Sequence, residues 1–362
     1  MSISTFETEE VAKICENVVP HSKIIACTTA LIRIDIKQTI SRQLTVCLRY
    51  PENYPNYPIL VELKSRTLSQ KFLDGLTNIA ELKAREILGK PQVIHVLKFI
   101  SQYLTENPLC VVYDEILDVK KTLGDNATDL KLKQKTSSIV LTVRSGKYYF
   151  KIKPDVPVEY PEKCLTWKEH ESNLPIVLIR YLNGQAREIA RQCVEVPLRT
   201  LKDKKAEPFK PVPSLLKTLK FIIEATREYC QEACPICGEV AIPNEPENVV
   251  QTENDPRYVE RVYCGHLYHQ NCLKNFMSQP PFPAGGKLCP AARRHQRSDD
   301  TYRLDLNKNV TVSKGKNMEK TDKSCGIRLS HDRWVVNVKI AEARWAQKQA
   351  RERELEEVVD FL

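Results

Sequence analysis

Cys234-Pro-Ile-Cys237, Cys264-Gly-His266-Leu-Tyr-His269-Gln-Asn-Cys272 and Cys289-Pro290 decide how this chain is read. Together they carry seven donors in the order Cys-x2-Cys-x26-Cys-x-His-x2-His-x2-Cys-x16-Cys. Zinc takes four such donors in a tetrahedron, and a Cys-x2-Cys turn supplies two of them from one knuckle. A lone histidine is most simply a hydrogen-bonded core residue, but His266 and His269 are bracketed by Cys264 and Cys272. The seven make three pairs and leave Cys289 without a partner. Two complete tetrahedra, hence two Zn2+ ions, need one donor more.

That eighth donor is displaced. After Cys289-Pro-Ala the chain runs through Ala292-Arg-Arg-His295 and a polar stretch to Ser324 before Cys325-Gly326. Residues 292–324 are 33 in number and hold nine Lys or Arg and five Asp or Glu, with little to build a core. Excising them gives Cys-Pro-Ala-Cys-Gly-Ile-Arg, which restores a contiguous knuckle in one step. The stretch reads as a disordered insertion or as translated intron sequence. Both Cys325 and His295 qualify as the last ligand. Closing a long loop onto Cys325 costs little beside metal ligation, because closure entropy grows only logarithmically with length.

Around this module the bulk numbers set limits. The chain has 362 residues, 42% of them hydrophobic, enough for two or three domains with real cores. No apolar run is long enough for a membrane span, and the first residues lack the basic start and apolar stretch of a secretory signal. The expected location is therefore cytoplasmic, with the nucleus also open. Of thirteen cysteines, Cys15, Cys27, Cys47, Cys110, Cys164, Cys193 and Cys230 are scattered and read as small buried apolar side chains. A net charge of +9 is spread along the chain without interleaved aromatics, which argues against a nucleic-acid platform.

Upstream, the pattern is α+β. An opening helix is predicted with Ser4 and Glu7 as a capping box and Val11, Ile14 and Val18 on one face, ended by Pro20. Alternation predicts strands at Ile32–Ile36, Leu44–Leu48 and Ile59–Leu63. Tyr50-Pro51, Tyr54-Pro55 and Tyr57-Pro58 interrupt them. Two helices follow, one over 68–88 ending at Gly89, the next after Lys90-Pro91 with Val93, Val96, Leu97 and Ile100. A weaker copy follows: a hairpin around Ser145-Gly146, Tyr160-Pro161 echoing Tyr50-Pro51, and Lys210-Pro211 echoing Lys90-Pro91, with a loop insertion near 202–208. The domain reading is a first sandwich over 1–116, a divergent second over 129–228, the metal module over 232–334, and a charged helix over 337–362.

The first sandwich, with its opening helix, Tyr-Pro cluster and closing helix, resembles an RWD domain, a ubiquitin-conjugating-enzyme-like fold without the catalytic cysteine; the second resembles another in tandem. The resemblance implies that they bind a protein partner. Cys110 and Cys193 lack an activating neighbour, so neither reads as a thioester nucleophile. The metal module resembles a RING finger with two central histidines. That resemblance implies a crossed ligand set: Cys234, Cys237, His269 and Cys272 on one zinc, and Cys264, His266, Cys289 and Cys325 on the other. It also implies that Ile236, Leu273, Phe276 and Pro290 meet a ubiquitin-charged conjugating enzyme, although Leu273 and Phe276 also suit the interior of a small helix. The basic residue that such ligases often carry just after the last cysteine is missing, since Gly326 and Ile327 follow Cys325. Two functions remain open: a RING-type ubiquitin ligase, or a zinc-binding adaptor that has lost transfer activity through its interrupted second site.

Overall fold

The helix α1 (Ile3–Val18) opens a four-stranded antiparallel meander, β1 (Ser22–Cys27), β2 (Ile32–Lys37), β3 (Gln43–Arg49) and β4 (Leu60–Lys64). The computed structural model describes residues 3–168, 170–196, 209–283, 286–291, 325, 327–329 and 338–360. Strand register stacks one apolar face: Ile32 opposite Leu48, Ile34 opposite Val46, Ile36 opposite Leu44, and Val46 and Leu48 opposite Leu63 and Val61. Period-two alternation puts all of these on the same side. That side meets α2 (Gln70–Arg85) through Phe72, Leu73, Leu76 and Ala80, and α3 (Val93–Glu106) through Val93, Val96, Leu97, Ile100 and Leu104. Strand β1 was not legible, because it is an edge strand whose bulge between Ile24 and Ala26 breaks the alternation.

The predicted capping box is corrected. Glu7 does not turn back onto Ser4. Its Oε1 accepts from the Val93 amide at the start of α3, 2.6 Å away, and its Oε2 accepts from the Tyr54 hydroxyl. Tyr54 in turn accepts from the Gln92 amide at 2.9 Å. A carboxylate from the opening helix thus caps the closing one. The buried face of α1 therefore includes Glu7 and Thr8 with Val11 and Cys15, and Ile14 and Val18 are only half-buried.

The same order recurs. Helix α4 (Tyr113–Leu123) precedes a second four-stranded sheet, β5 (Leu130–Lys133), β6 (Ser138–Ser145), β7 (Tyr148–Ile152) and β8 (His170–Ser172), and then α5 (Ile176–Gln192) and α6 (Leu215–Tyr229). The lock recurs as well. Glu115 on α4 accepts from the Tyr160 hydroxyl at 2.6 Å and the Leu216 amide at 2.9 Å, and Tyr160 accepts from the Ser214 amide at 2.8 Å. Glu and Tyr are 47 residues apart in the first lock and 45 in the second. Tyr160 therefore corresponds to Tyr54 rather than to Tyr50, which the sequence echo had suggested; both Tyr–Pro bonds are cis. The insertion expected near 202–208 lies outside the described residues. Burial pushes both carboxyls above their ordinary range despite these hydrogen bonds.

The chain divides into two compact units, Met1–Val143 with Lys151–Glu171 and Gln185–Ile223, and Arg144–Phe150 with Ser172–Gly184 and Glu224–Leu362. The second holds the metal-ligand clusters, built on a two-stranded ladder of β9 (Val259–Arg261) and β10 (Leu267–His269) and the helix α7 (Gln270–Ser278). Helix α8 (Val338–Asp360) closes the chain, with the Lys348–Glu352 pair at 3.7 Å. Among the described residues no helix is long and apolar enough to cross a membrane.

Candidate metal centre

Two groups of four donors come together. One is Cys234, Cys237, His269 and Cys272; the other is Cys264, His266, Cys289 and Cys325; in each, the donor atoms all lie within 4.8 Å of one another. The sequence order crosses between them: Cys264 and His266 of the second group stand between Cys237 and His269 of the first. Metal–sulfur bonds of about 2.3 Å and metal–nitrogen bonds of about 2.0 Å at the tetrahedral angle put sulfur and nitrogen about 3.5 Å apart. His269 Nδ1 lies 3.4 Å from Cys237 Sγ and 3.9 Å from Cys272 Sγ. His266 Nδ1 lies 3.2 Å from Cys264 Sγ and 3.5 Å from Cys289 Sγ. The donor set and its spacing thus fit tetrahedral Cys3His shells, with Nδ1 as the inward atom of both imidazoles.

Local structure aims these donors. In the first knuckle the Cys234 amide donates to Glu239 O at 2.7 Å and the Gly238 amide to Cys234 O at 2.8 Å. Gly238 has φ +77°, a left-handed turn that suits glycine. The second knuckle repeats the first across a long gap in sequence. The Cys289 amide donates to Ile327 O at 2.9 Å, and Ile327 stands two residues past Cys325 as Glu239 stands two past Cys237. The Leu329 amide donates to Lys287 O at 2.9 Å, and the Cys325 amide to Ala291 O at 2.8 Å. Lys287, Cys289 and Ala291 therefore pair with Leu329, Ile327 and Cys325 in a short antiparallel ladder that puts Cys325 in the fourth position. The rival ligand His295 lies outside the described residues.

The two ends of the 33-residue segment lie side by side, with the Cys325 amide donating to Ala291 O at 2.8 Å. Deleting 292–324 is expected to leave the metal content and the thermal midpoint of the metal-loaded chain unchanged or raised. A lower midpoint would show that the segment packs as part of the fold.

Electrostatics within the groups is strained in a way a cation relieves. Cys289 is held down to about 4, first by its hydrogen bond with the Cys264 thiol and, against burial, by His266 and Tyr268. Cys264 moves the other way, pushed up by that same bond and by burial. Burial opposes ionisation of Cys234, yet hydrogen bonds from His269 and the amides of Cys237 and Ile236 bring it to about 6. His269 is raised, chiefly by Cys234. Crowded sulfurs cannot all ionise without a compensating positive charge, and a dication among them supplies it.

The surrounding residues divide clearly. Ile236 keeps 37% of its surface exposed, and Pro290 is exposed. Leu273 takes the interior place that its helix position also allowed: it is fully buried in the module core with Val262, Tyr268 and Met277. Phe276 is half-buried against that core, with the Lys287 ammonium 4.5 Å from its ring centroid. Lys287 also donates to the carbonyls of Phe276 and Gln279, closing the C-terminal end of α7. Nothing in the local spacing announced that buried lysine. In the segment between Cys237 and Cys264, Asn244, Glu245, Glu247 and Asn248 are exposed, while Ala241 and Ile242 are buried and Tyr148 donates to Pro243 O at 2.6 Å. Away from the module, Cys110 and Cys193 are each 4% exposed, and burial pushes the Cys110 thiol up to about 11, the opposite of what a nucleophile needs. No protein-family model matches this chain, and no curated protein matches it.

Proposed function

We propose that this chain is a RING-type ubiquitin-protein ligase whose two RWD-like sandwiches recruit a protein partner. The observation that carries the reading is the crossed order of the two four-donor groups, Cys234, Cys237, His269 and Cys272 against Cys264, His266, Cys289 and Cys325. Zinc bound there supplies structural cross-links, because protein donors fill all four positions and leave none open for substrate. The work of such a module is positioning. It holds a conjugating enzyme and its ubiquitin thioester so that a substrate lysine amine attacks the carbonyl carbon and the enzyme's cysteine leaves as thiolate. No covalent intermediate with this chain is needed, in keeping with the burial of Cys110 and Cys193.

Ile236 and Pro290 are the docking contacts in this reading. Each is an exposed apolar side chain beside a metal ligand, where burial against a partner is a net gain. Ile236→Ala is expected to cut discharge of a ubiquitin-loaded conjugating enzyme at least about tenfold, the loss of a contact worth more than about 1.4 kcal/mol. Zinc content, measured on the same sample, stays at two. Full discharge by the variant removes Ile236 from the surface. The adaptor alternative supposes a broken second site, and the meeting of Cys325 with Cys264, His266 and Cys289 argues against that premise. Absence of discharge by the unmodified chain with a panel of conjugating enzymes would favour the adaptor.

A further inference from the structure

Tyr268 is among the largest fully buried side chains of the molecule. It sits on β10 between His266, a donor of the second group, and His269, a donor of the first. Its hydroxyl lies 2.9 Å from Cys289 Sγ, and Cys289 is itself 1% exposed. A phenol is not needed to fill this space, since a phenyl ring packs the same core; what the hydroxyl adds is a donor, and a buried hydroxyl without an acceptor is costly. The acceptor here is a sulfur that must be a thiolate to ligate.

The charge count explains the use of such a donor. Three thiolates and one neutral imidazole around a dication carry one net negative charge, and the module has two such shells in a small core. Hydrogen bonds to ligating sulfur draw off part of that charge and fix the ligand's direction. Cys289 has the Tyr268 hydroxyl in addition to the Ala291 amide. Cys289 also belongs to the knuckle that is closed across residues 292–324, where chain connectivity does least to hold the ligands together.

We propose that Tyr268 is a positioning residue of the second metal site, its hydroxyl donating to the Cys289 thiolate and setting how long that site retains its metal. The proposal rests on the two-zinc reading above and deepens it: the second site owes its retention to a side chain that the first site's strand delivers.

The test uses the zinc-loaded full chain. Zinc content is counted by native mass spectrometry, and release to an excess of a chelating dye is followed in time. For Tyr268→Phe the expected result is two zinc ions at the start and a second-site release phase about tenfold faster, as loss of an outer partner commonly produces. The first-site phase is unchanged. Loading with cobalt gives a signature that packing alone does not move: removing a hydrogen bond from the thiolate shifts its charge-transfer band to longer wavelength. Should Tyr268→Phe fold poorly, 3-fluorotyrosine placed at 268, a stronger donor of nearly the same shape, is expected to slow second-site release. Two zinc ions with unchanged phases and an unshifted band overturn the proposal and leave the zinc reading standing. An unmodified chain that binds no zinc overturns both.

Discussion

Cys325→Ala is expected to leave one zinc ion on a chain that otherwise holds two. The second knuckle places Cys325 with Cys264, His266 and Cys289, and its amide is fixed to Ala291 O. A structural zinc site is worth about 10–16 kcal/mol in apparent binding free energy. Replacing one of four donors by water forfeits enough of this for a competing chelator to strip the site. The first group shares none of its four donors with the second, so Cys234, Cys237, His269 and Cys272 keep their ion. His295→Ala is expected to keep both. Native mass spectrometry of the two variants decides the matter: retention of two ions by Cys325→Ala and loss of one by His295→Ala would move the eighth ligand into the 292–324 segment.

The metal module was legible because its chemistry is written in residue type and spacing. Seven donors at fixed gaps announce themselves without any packing information. The eighth falls into register only when residues 292–324 are left out, and what makes it fit is the ladder between Cys289 and Ile327, which no spacing rule contains. Packing roles were less legible. Leu273 and Phe276 occupy neighbouring turns of α7, yet one is core and the other half-buried, because the face of a short helix is fixed by what lies beneath it. In the first sandwich, alternation located β2, β3 and β4 and missed β1, whose bulge erases the period. Glu7 misled for a different reason. A glutamate three residues after a serine in a first turn is a local capping signal, and its real partners lie 47 and 86 residues away.

Those distant partners make Glu7 and Glu115 costly side chains to remove from the two sandwiches. Glu7→Ala leaves the Val93 amide and the Tyr54 hydroxyl without their acceptor, and Glu115→Ala does the same to Leu216 and Tyr160. Each orphaned buried donor costs about 1–3 kcal/mol, so each variant is expected to lose about 3 kcal/mol locally. In hydrogen exchange of the full chain, this appears as roughly hundredfold faster exchange of the Val93 amide in one variant and of the Leu216 amide in the other. The sign of the pH dependence follows from burial, which raises both carboxyls. The folded state then binds protons that the unfolded chain has released, so each lock contributes most below the ordinary carboxyl value of 4.5 and loses stability as pH rises through its raised value. Glu7→Gln, which cannot ionise, is expected to flatten that dependence at Val93 while leaving it at Leu216. Equal pH profiles for the variant and the unmodified chain at Val93 would mean that Glu7 is already ionised throughout, held by its hydrogen bonds against the burial that opposes it.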